Sequence, residues 1–175
     1  GTKNKPIIFS SEDEDYEGIG QWGGLIIEDS SATFGQTRLE YVVVTEAGAE
    51  VTVGNKTYAD NIVLDGVHDN TFIQYLQSHD SARDGIRLQS SEASANQARL
   101  SWLLITGASR DAFSYNNFSG LVKDMLVIHR PGSYDGTSGG RAGIYASNSN
   151  SLPLFVNITL AGRDTTSNNA IRIDD

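Results

Sequence analysis

The stretch from residue 72 to residue 117 contains one pattern twice, and this duplication constrains the fold more than any other feature. The first copy reads FIQYLQSHDSARDGIRLQS and the second reads RLSWLLITGASRDAFSYNN. Alignment of the two copies superimposes similar residues: Tyr75 on Trp102, Leu76 on Leu103, Arg83 on Arg110, Asp84 on Asp111 and Ile86 on Phe113. A tandem repeat of this kind predicts a molecule built from stacked, similar units.

The composition favours strands over helices. The 175 residues include 18 Gly, with many Asn, Ser, Thr and Asp for turns and abundant Val and Ile for strands. Apolar residues alternate in short runs such as Ile86-Arg87-Leu88, and no long segment has them at helical spacing. The length fits one domain. We therefore predict a single, mostly β domain over residues 1–175.

The register of the duplication extends along the chain. The first strand column predicted to face inward holds Val42, Leu76, Leu103, Leu126 and Ile158, followed two residues later by Val44, Ser78, Ile105, Ile128 and Leu160. The second strand column holds Leu25, Val51, Ile86, Phe113, Ile144 and Ile171, followed by Ile27, Val53, Leu88, Tyr115, Ala146 and Ile173. A third strand is predicted at Asn61-Ile62-Val63-Leu64. Six rungs are visible in this pattern.

The period of the second column predicts a solenoid. Its members recur every 26 to 35 residues, and leucine-rich and helical repeats are excluded because their signatures are missing. We predict an all-β, right-handed parallel β-helix of about six coils. A polar column after the second strand is interpreted as a structural turn ladder: Asn55, Ser90, Asn117, Asn148 and Asp175.

Charge and composition exclude some partners. The chain has 13 basic and 22 acidic residues, a net charge of −9, which would repel a phosphate backbone. We expect no nucleic-acid partner. No run is long enough for a transmembrane helix and the N-terminus lacks the apolar core of a signal peptide. Without cysteine there is neither a disulfide framework nor a thiolate metal site.

The two ends of the sequence carry no capping element. Gly1 leads almost directly into strand, and the strand Ile171-Arg172-Ile173 stops two residues before the end. Open strand edges invite pairing with another chain. We expect a fragment of a longer β-helix, or end-to-end or edge-strand self-association.

The first third of the chain resembles a family of bacterial surface proteins. Its segments are GTKNKPIIFSS, then GQWGGLII after a spacer, then RLEYVVV. Large secreted or lipid-anchored proteins with a pectate-lyase-like β-helix carry a similar GTxxKPIxFTS, GxWGGL and LxYVxV. The resemblance implies an extracellular β-helix preceded by further coils. The family is largely uncharacterised and supplies no catalytic residues to transfer.

Most charged candidates lie between the first and second strands, where segment length varies from 7 to 16 residues. Length variation at one edge of a solenoid marks a tolerant and often binding face. An arginine column of Arg83, Arg110 and Arg141 lies there beside Asp84, Asp111, Ala142 and Asn169. One reading is an ion-pair ladder that ties coils together. The other is an anion-binding strip for a carboxylated or sulfated sugar, since Arg binds such groups bidentately.

Catalytic readings of this edge depend on Asp84, Asp111 and His79. Carboxylates about 5 Å apart match a retaining glycosidase, but the adjacent arginines should keep both ionised and leave no general acid. His79 and His129 are predicted to share a column with Thr106 between them, hence about 10 Å apart and unable to share a metal. Each histidine could act singly as an acid or base, or be an ordinary turn residue.

Two loops complete the set of candidates. The acidic run Ser11 to Glu17, including Asp13 and Asp15, could hold Ca²⁺ but lacks the spacing of an EF-hand, so a solvated charge run is the default. The Gly-rich segment 132–140 is not a phosphate loop. Tyr134 in that segment could stack on a sugar ring. Tyr75 and Trp102 could do the same if they face outward, or could stack together with Tyr41 for stability.

We favour a secreted or cell-surface bacterial module that binds a polysaccharide or another surface component along the loop edge, or serves as a rigid stalk. The proposed ligand-binding residues are Arg83, Arg110, Arg141, Tyr134 and His129. A polysaccharide hydrolase or lyase acting on an acidic polysaccharide is the alternative, because fold alone does not assign a function. No complete set of acid, base and stabiliser emerges, and no cofactor beyond Ca²⁺ is suggested.

Overall fold

The structure is a computed structural model that describes residues 1–12, 18–28, 37–90, 97–129, 141–147, 153–162 and 168–174, with the backbone alone at positions 129, 141 and 168. Its regular elements are all strands, and the described residues contain no helix. The strands are β1 (Ile7–Phe9), β2 (Leu25–Glu28), β3 (Arg38–Thr45), β4 (Val51–Val53), β5 (Lys56–Tyr58), β6 (Ile62–Asp65), β7 (Phe72–His79), β8 (Ile86–Gln89), β9 (Arg99–Thr106), β10 (Phe113–Tyr115), β11 (Leu121–His129), β12 (Arg141–Ser147), β13 (Leu154–Gly162) and β14 (Asn168–Asp174).

Twelve of these strands form two parallel sheets of six. The first sheet has the order β1-β3-β7-β9-β11-β13 and the second has the order β2-β6-β8-β10-β12-β14. The chain alternates between them, so each strand of the first sheet is followed by its counterpart in the second. We call each such pair of strands a rung. The predicted all-β architecture with parallel sheets is confirmed.

The core lies between the two sheets. Leu76 and Leu103 pair in the first sheet and Ile86 and Phe113 pair in the second, and all four are buried in one hydrophobic cluster. Their neighbours along each strand face outward because side chains alternate across a strand. The duplicated stretch therefore supplies two adjacent rungs whose apolar positions hold the sheets together.

Each long strand of the first sheet bends at one residue in the left-handed conformation. These residues are Tyr41, Tyr75, Trp102, Asp124 and Asn157, with φ between 52° and 57°. The residues that follow them are in register from strand to strand. The five therefore lie one above another, and we call them the left-handed column.

The predicted register of β11 is wrong by one residue. Met125 and Val127, not Leu126 and Ile128, pair with Leu103 and Ile105. Met125 is 1% exposed and Leu126 is 38% exposed. All four residues from 125 to 128 are apolar, so alternation in the sequence could not identify the inward pair.

The second rung also differs from the prediction. Ile62 and Leu64 of β6, not Val51 and Val53, occupy the second sheet between β2 and β8. Val51–Val53 instead pairs antiparallel with Lys56–Tyr58 as a hairpin. The segment predicted as a third strand is thus the second strand of its rung, and the hairpin is an insertion before it.

The predicted turn ladder is present in part. Asn117 has a φ of 56°, and its side-chain amide donates to the Ser90 carbonyl at 3.5 Å. The assignment of Asn55 to this ladder is wrong, because Asn55 lies in the turn of the β4–β5 hairpin. Asn148 and Asp175 lie outside the described residues. Within the described ranges, no helix has the length and apolar character needed to span a membrane.

Candidate functional site

A cleft of about 370 Å³ lies on the outer face of the second sheet. Its floor includes an outward column, Arg87, Ser114, Tyr145 and Arg172, whose members pair strand to strand. The turns that precede β8 and β10 add charged side chains. We call it the arginine cleft, and its charged lining residues are Arg83, Asp84, Arg87, Arg110, Asp111 and Arg172.

Three aspartates form a column at the edge of this cleft. Asp60, Asp84 and Asp111 each lie two residues before a strand of the second sheet, and each accepts a backbone N–H from the next rung. The Asp60 carboxylate accepts from Asp84 N at 3.1 Å, Asp84 from Asp111 N at 3.2 Å, and Asp111 from Ala142 N at 2.8 Å. Because buried backbone N–H groups need partners, this column fastens successive turns together.

The carboxylate of Asp84 is fully occupied by hydrogen bonds within the protein. Its carboxylate accepts two 2.6 Å bonds from Arg110, through Nε and Nη2, and a 2.6 Å bond from the Ser114 hydroxyl. Burial alone would raise the pKa of Asp84, but the hydrogen bonds and charge of Arg110 outweigh it and hold that pKa below its usual value. The ion-pair interpretation is therefore correct for Asp84 and Arg110.

The other two aspartates have raised pKa values. Burial and the nearby Asp84 charge raise the pKa of Asp111 to about 7 and that of Asp60 to about 6. Arg110 Nε is 3.6 Å from Asp111 Oδ2, too long for a hydrogen bond. The expectation that the arginines keep both Asp84 and Asp111 ionised stays a prediction for Asp111, because the hydrogen bonds of the Arg110 guanidinium go to Asp84.

The arginines of the cleft differ in how far they are neutralised. Arg110 is held by Asp84, and Arg172 pairs with Asp174 at 2.6 Å and lies over the Tyr145 ring. Arg87 Nη1 is 3.6 Å from Asp60 Oδ2, a loose pair. Arg83 makes no ion pair with any described carboxylate. Arg83 and Arg87 are therefore the arginines of the cleft whose positive charge is most available to a ligand.

The predicted arginine column is brought together in part. The backbone of Arg110 donates to the Arg83 carbonyl at 3.0 Å, which places the two on adjacent rungs. Arg141 begins β12 directly before Ala142, and Ala142 pairs with Asn169. The column of Asp84, Asp111, Ala142 and Asn169 is thus as predicted. The Arg141 side chain lies outside the described part of the structure.

The predicted histidine column is wrong in its second member. Thr106 pairs with His79 on one side and with Ile128 on the other, because β11 is shifted by one residue. The side chain of His129 is not among those described. His79 is held through both ring nitrogens, by Thr106 Oγ1 at 2.7 Å and Gln77 Oε1 at 3.0 Å. Burial lowers the pKa of His79 although Asp80 opposes the shift.

The loop candidates lie outside the described residues. They are Tyr134, Asp13 and Asp15. Among the residues that are described, no group of three or more His, Cys, Asp or Glu side chains is arranged to hold a metal ion. The possible Ca²⁺ site therefore stays a prediction.

Sequence reasoning missed Asp60, Arg87, Tyr145 and Arg172. The last three stand between inward-facing apolar residues, so their outward direction follows from alternation alone. Asp60 had a usable signal, because Asp60-Asn61-Ile62 repeats the Asp-x-apolar pattern of Asp84-Gly85-Ile86 and Asp111-Ala112-Phe113. The prediction omits Asp60 because it places Val51, and not Ile62, in that rung.

Comparison of the chain with protein-family models, with curated proteins and with solved structures found no match.

Proposed function

We propose that the protein is an extracellular, right-handed parallel β-helix module of a bacterial cell surface that binds an acidic glycan in the arginine cleft. The alternation of the chain between two parallel sheets supports the helical winding. Handedness rests on the general rule that crossovers between parallel strands are right-handed. The resemblance of residues 1–44 to bacterial surface proteins supports the location.

The observation that carries the binding proposal is the pair Arg83 and Arg87 in the cleft. Both line the same 370 Å³ space. Arg83 makes no ion pair with a described carboxylate, and Arg87 Nη1 lies 3.6 Å from Asp60 Oδ2, too far for a hydrogen bond. A guanidinium group presents parallel N–H donors that match a carboxylate or sulfate. Two such groups on one face suit a uronic acid or a sulfated sugar.

Binding is favoured over catalysis because the carboxylate and the guanidinium group of the strongest ion pair in the cleft already bind each other. Asp84 and Arg110 neutralise each other through a bidentate bond, so Asp84 is unsuited to proton transfer. The ring nitrogens of His79 are engaged by neighbouring side chains. Attraction of an anion, in contrast, needs only Arg83, which makes no ion pair with a described carboxylate, and Arg87, which makes a loose one.

Affinity electrophoresis in gels containing polygalacturonate, alginate or neutral hydroxyethylcellulose tests this proposal. We expect retardation by at least one acidic polymer, and loss of that retardation in the double variant Arg83→Ala/Arg87→Ala. Arg99→Ala is the matched control, since Arg99 lies over Phe72 away from the cleft, and it should behave as the wild type. Mobility in both acidic gels equal to that in a gel without polymer, or retardation by an acidic polymer that survives the double substitution, would contradict acidic-glycan binding in this cleft.

One observation favours a hydrolase or lyase as a second candidate. Asp111 lines the cleft and has a pKa of about 7, which suits a general acid or base near neutral pH. Incubation with the same acidic polymers should then release reducing or unsaturated ends, and Asp111→Asn should abolish the release. Retardation without products favours the binding module.

A further inference from the structure

A second groove, of about 670 Å³, lies on the outer face of the first sheet. Its floor is an outward column of Val43, Gln77, Leu104, Leu126 and Thr159, which are in register. One wall is the left-handed column defined above. The groove shares no lining residue with the arginine cleft, and we call it the aromatic groove.

The side chains of the left-handed column change from aromatic to polar partway along the groove. Tyr41 stacks on Tyr75 with ring centroids 4.4 Å apart, and Tyr75 stacks on Trp102 at 6.0 Å. The next two positions are Asp124 and Asn157, whose side chains hydrogen-bond at 2.9 Å. Tyr75 covers one face of the Trp102 indole, so the other face points toward Asp124. Trp102 is 53% exposed, and no ring among the described residues stacks on that second face.

The backbone at these positions makes the aromatic residues costly. A left-handed backbone disfavours most L-residues but is tolerated by Asn and Asp, the residue types at the last two positions of the column. Aromatic stacking between neighbours offsets only part of this backbone cost. Stability alone therefore gives little reason to prefer three aromatics here. Backbone outliers of this kind concentrate where a ligand is held.

We propose that the aromatic groove binds a neutral glycan, with one sugar ring on the open face of Trp102 and its hydroxyl groups on Asp124 and Asn157. Adjacent strands are spaced about 4.8 Å apart, and the ring centroids stacked along this column are 4.4 and 6.0 Å apart. A sugar ring over Asp124 would thus continue the stack where the column turns polar. Carboxylate and amide oxygens beneath it accept hydrogen bonds from hydroxyl groups.

The charge of the groove favours a neutral ligand. Its charged lining residues are Lys3 and Asp124, one of each sign, so the lining itself carries no net charge. A polyanion would gain nothing from this balance, in contrast to the arginine cleft. A pyranose combines apolar C–H faces with an equatorial rim of hydroxyls, which matches an indole face beside polar acceptors.

The test is affinity electrophoresis of the whole chain in gels containing hydroxyethylcellulose, xylan or galactomannan. Trp102→Asn is the informative variant because Asn accepts the left-handed backbone, as Asn157 does, and so removes the indole without disturbing the strand. We expect the wild type to be retarded by at least one neutral polymer. Trp102→Asn should weaken that retardation by about tenfold or more, as for the loss of roughly 1.4 kcal/mol of binding free energy.

Two controls separate this site from the arginine cleft and from self-association. Arg83→Ala should retain neutral-polymer binding, while Trp102→Asn should retain any binding to polygalacturonate. Sedimentation velocity should show the same species for wild type and Trp102→Asn. The proposal fails if no neutral polymer retards the wild type, or if Trp102→Asn is retarded equally. It also fails if Trp102→Asn dissociates a dimer, because the groove would then hold a second copy of the chain.

Discussion

At the scale of single residues, the buried carboxylate of Asp84 has two structural roles. It accepts a backbone hydrogen bond from the next rung, and it is the counterion of an arginine. It is fully buried and accepts four hydrogen bonds, two of them from Arg110 and one from the backbone of the next rung. Truncation of one partner of a buried pair leaves the other charge uncompensated. The cost of losing Asp84 should therefore exceed that of losing an exposed ion pair.

We predict that Asp84→Ala lowers the free energy of unfolding by about 3–5 kcal/mol. Urea denaturation followed by circular dichroism measures this change. Arg38→Ala is the control, because its pair with Glu40 is solvent-exposed and should cost about 0–1 kcal/mol. Asp84→Ala/Arg110→Ala should be less destabilised than the sum of the two single variants. Strict additivity would contradict the orphaned-charge explanation.

Asp111 predicts a pH dependence of stability. Its pKa is about 7 in the folded state and about 3.9 in an unfolded chain, so the folded protein binds more protons between these values. Stability should therefore fall as pH rises from about 4 to 7, and Asp60, with a pKa of about 6, acts in the same direction. Asp84 acts oppositely, since its lowered pKa makes stability fall only as pH drops below about 4.

Asp111→Asn should flatten this profile, since an amide does not titrate. Unfolding free energies from urea titrations at pH 5, 6, 7 and 8 measure the slope. The difference between wild type and Asp111→Asn should shrink toward pH 5, where Asp111 is protonated. A slope that is identical in the two proteins would mean that Asp111 ionises at its ordinary pKa.

At the scale of the element, strand β11 carries the sharpest test of register. Met125 faces the core and Leu126 faces the aromatic groove, one residue away and with similar apolar character. Met125→Ala should cost about 2–5 kcal/mol because it opens a cavity, whereas Leu126→Ala should change the free energy of unfolding by no more than about 0.5 kcal/mol. Thermal and urea unfolding of the matched pair measure both values. The reverse order would support the register predicted from sequence.

The β4–β5 hairpin shows how an insertion is anchored to a stacked fold. Tyr58 is buried, and its hydroxyl donates to Asp65 Oδ2 at 2.8 Å, where Lys56 and Gln89 also donate. Gln89 belongs to the next rung, so this carboxylate joins the hairpin, β6 and β8. The hairpin lies outside the second sheet without interrupting it, because β6 pairs with both β2 and β8.

At the scale of the whole molecule, the net charge of −9 opposes the approach of an acidic glycan to the arginine cleft. The repulsion acts over distance and is screened by salt, with a Debye length of about 30 Å at 0.01 M and about 8 Å at 0.15 M. The contacts of Arg83 and Arg87 with a bound anion are short-ranged and less affected. Added salt should therefore change the association rate constant more than it changes the contacts in the bound complex.

We predict that the association rate constant for an oligogalacturonate rises severalfold between 0.01 and 0.15 M salt, opposite in sign to the steering of a polyanion by a basic protein. Stopped-flow fluorescence at several salt concentrations measures it. A neutral oligosaccharide serves as the control and should show no such dependence. A rate that falls with salt would indicate that the local arginine field dominates the encounter.

Much of the fold follows from the duplication of residues 72–117. Leu76 with Leu103 and Ile86 with Phe113 identified adjacent rungs, because period-two alternation in two similar segments has one consistent alignment. The alignment failed where alternation was absent, at Met125 to Ile128, and where a hairpin lengthened the rung before Ile62. At the site, the neighbouring columns of Arg83 with Arg110 and Asp84 with Asp111 were predicted, whereas the participation of Asp60 and Arg172 was not.

The sequence by itself determined that the chain is made of strands in stacked rungs, because repeated alternation leaves few other ways to bury its apolar residues. Only the tertiary structure decided which charges are available. Asp84 binds Arg110, which lies 26 residues away in the sequence, while Asp111 has a raised pKa and Arg87 is paired only loosely with Asp60. Proton affinity and ion pairing depend on distances of a few ångströms between neighbouring rungs, and these distances exist only once the rungs are stacked.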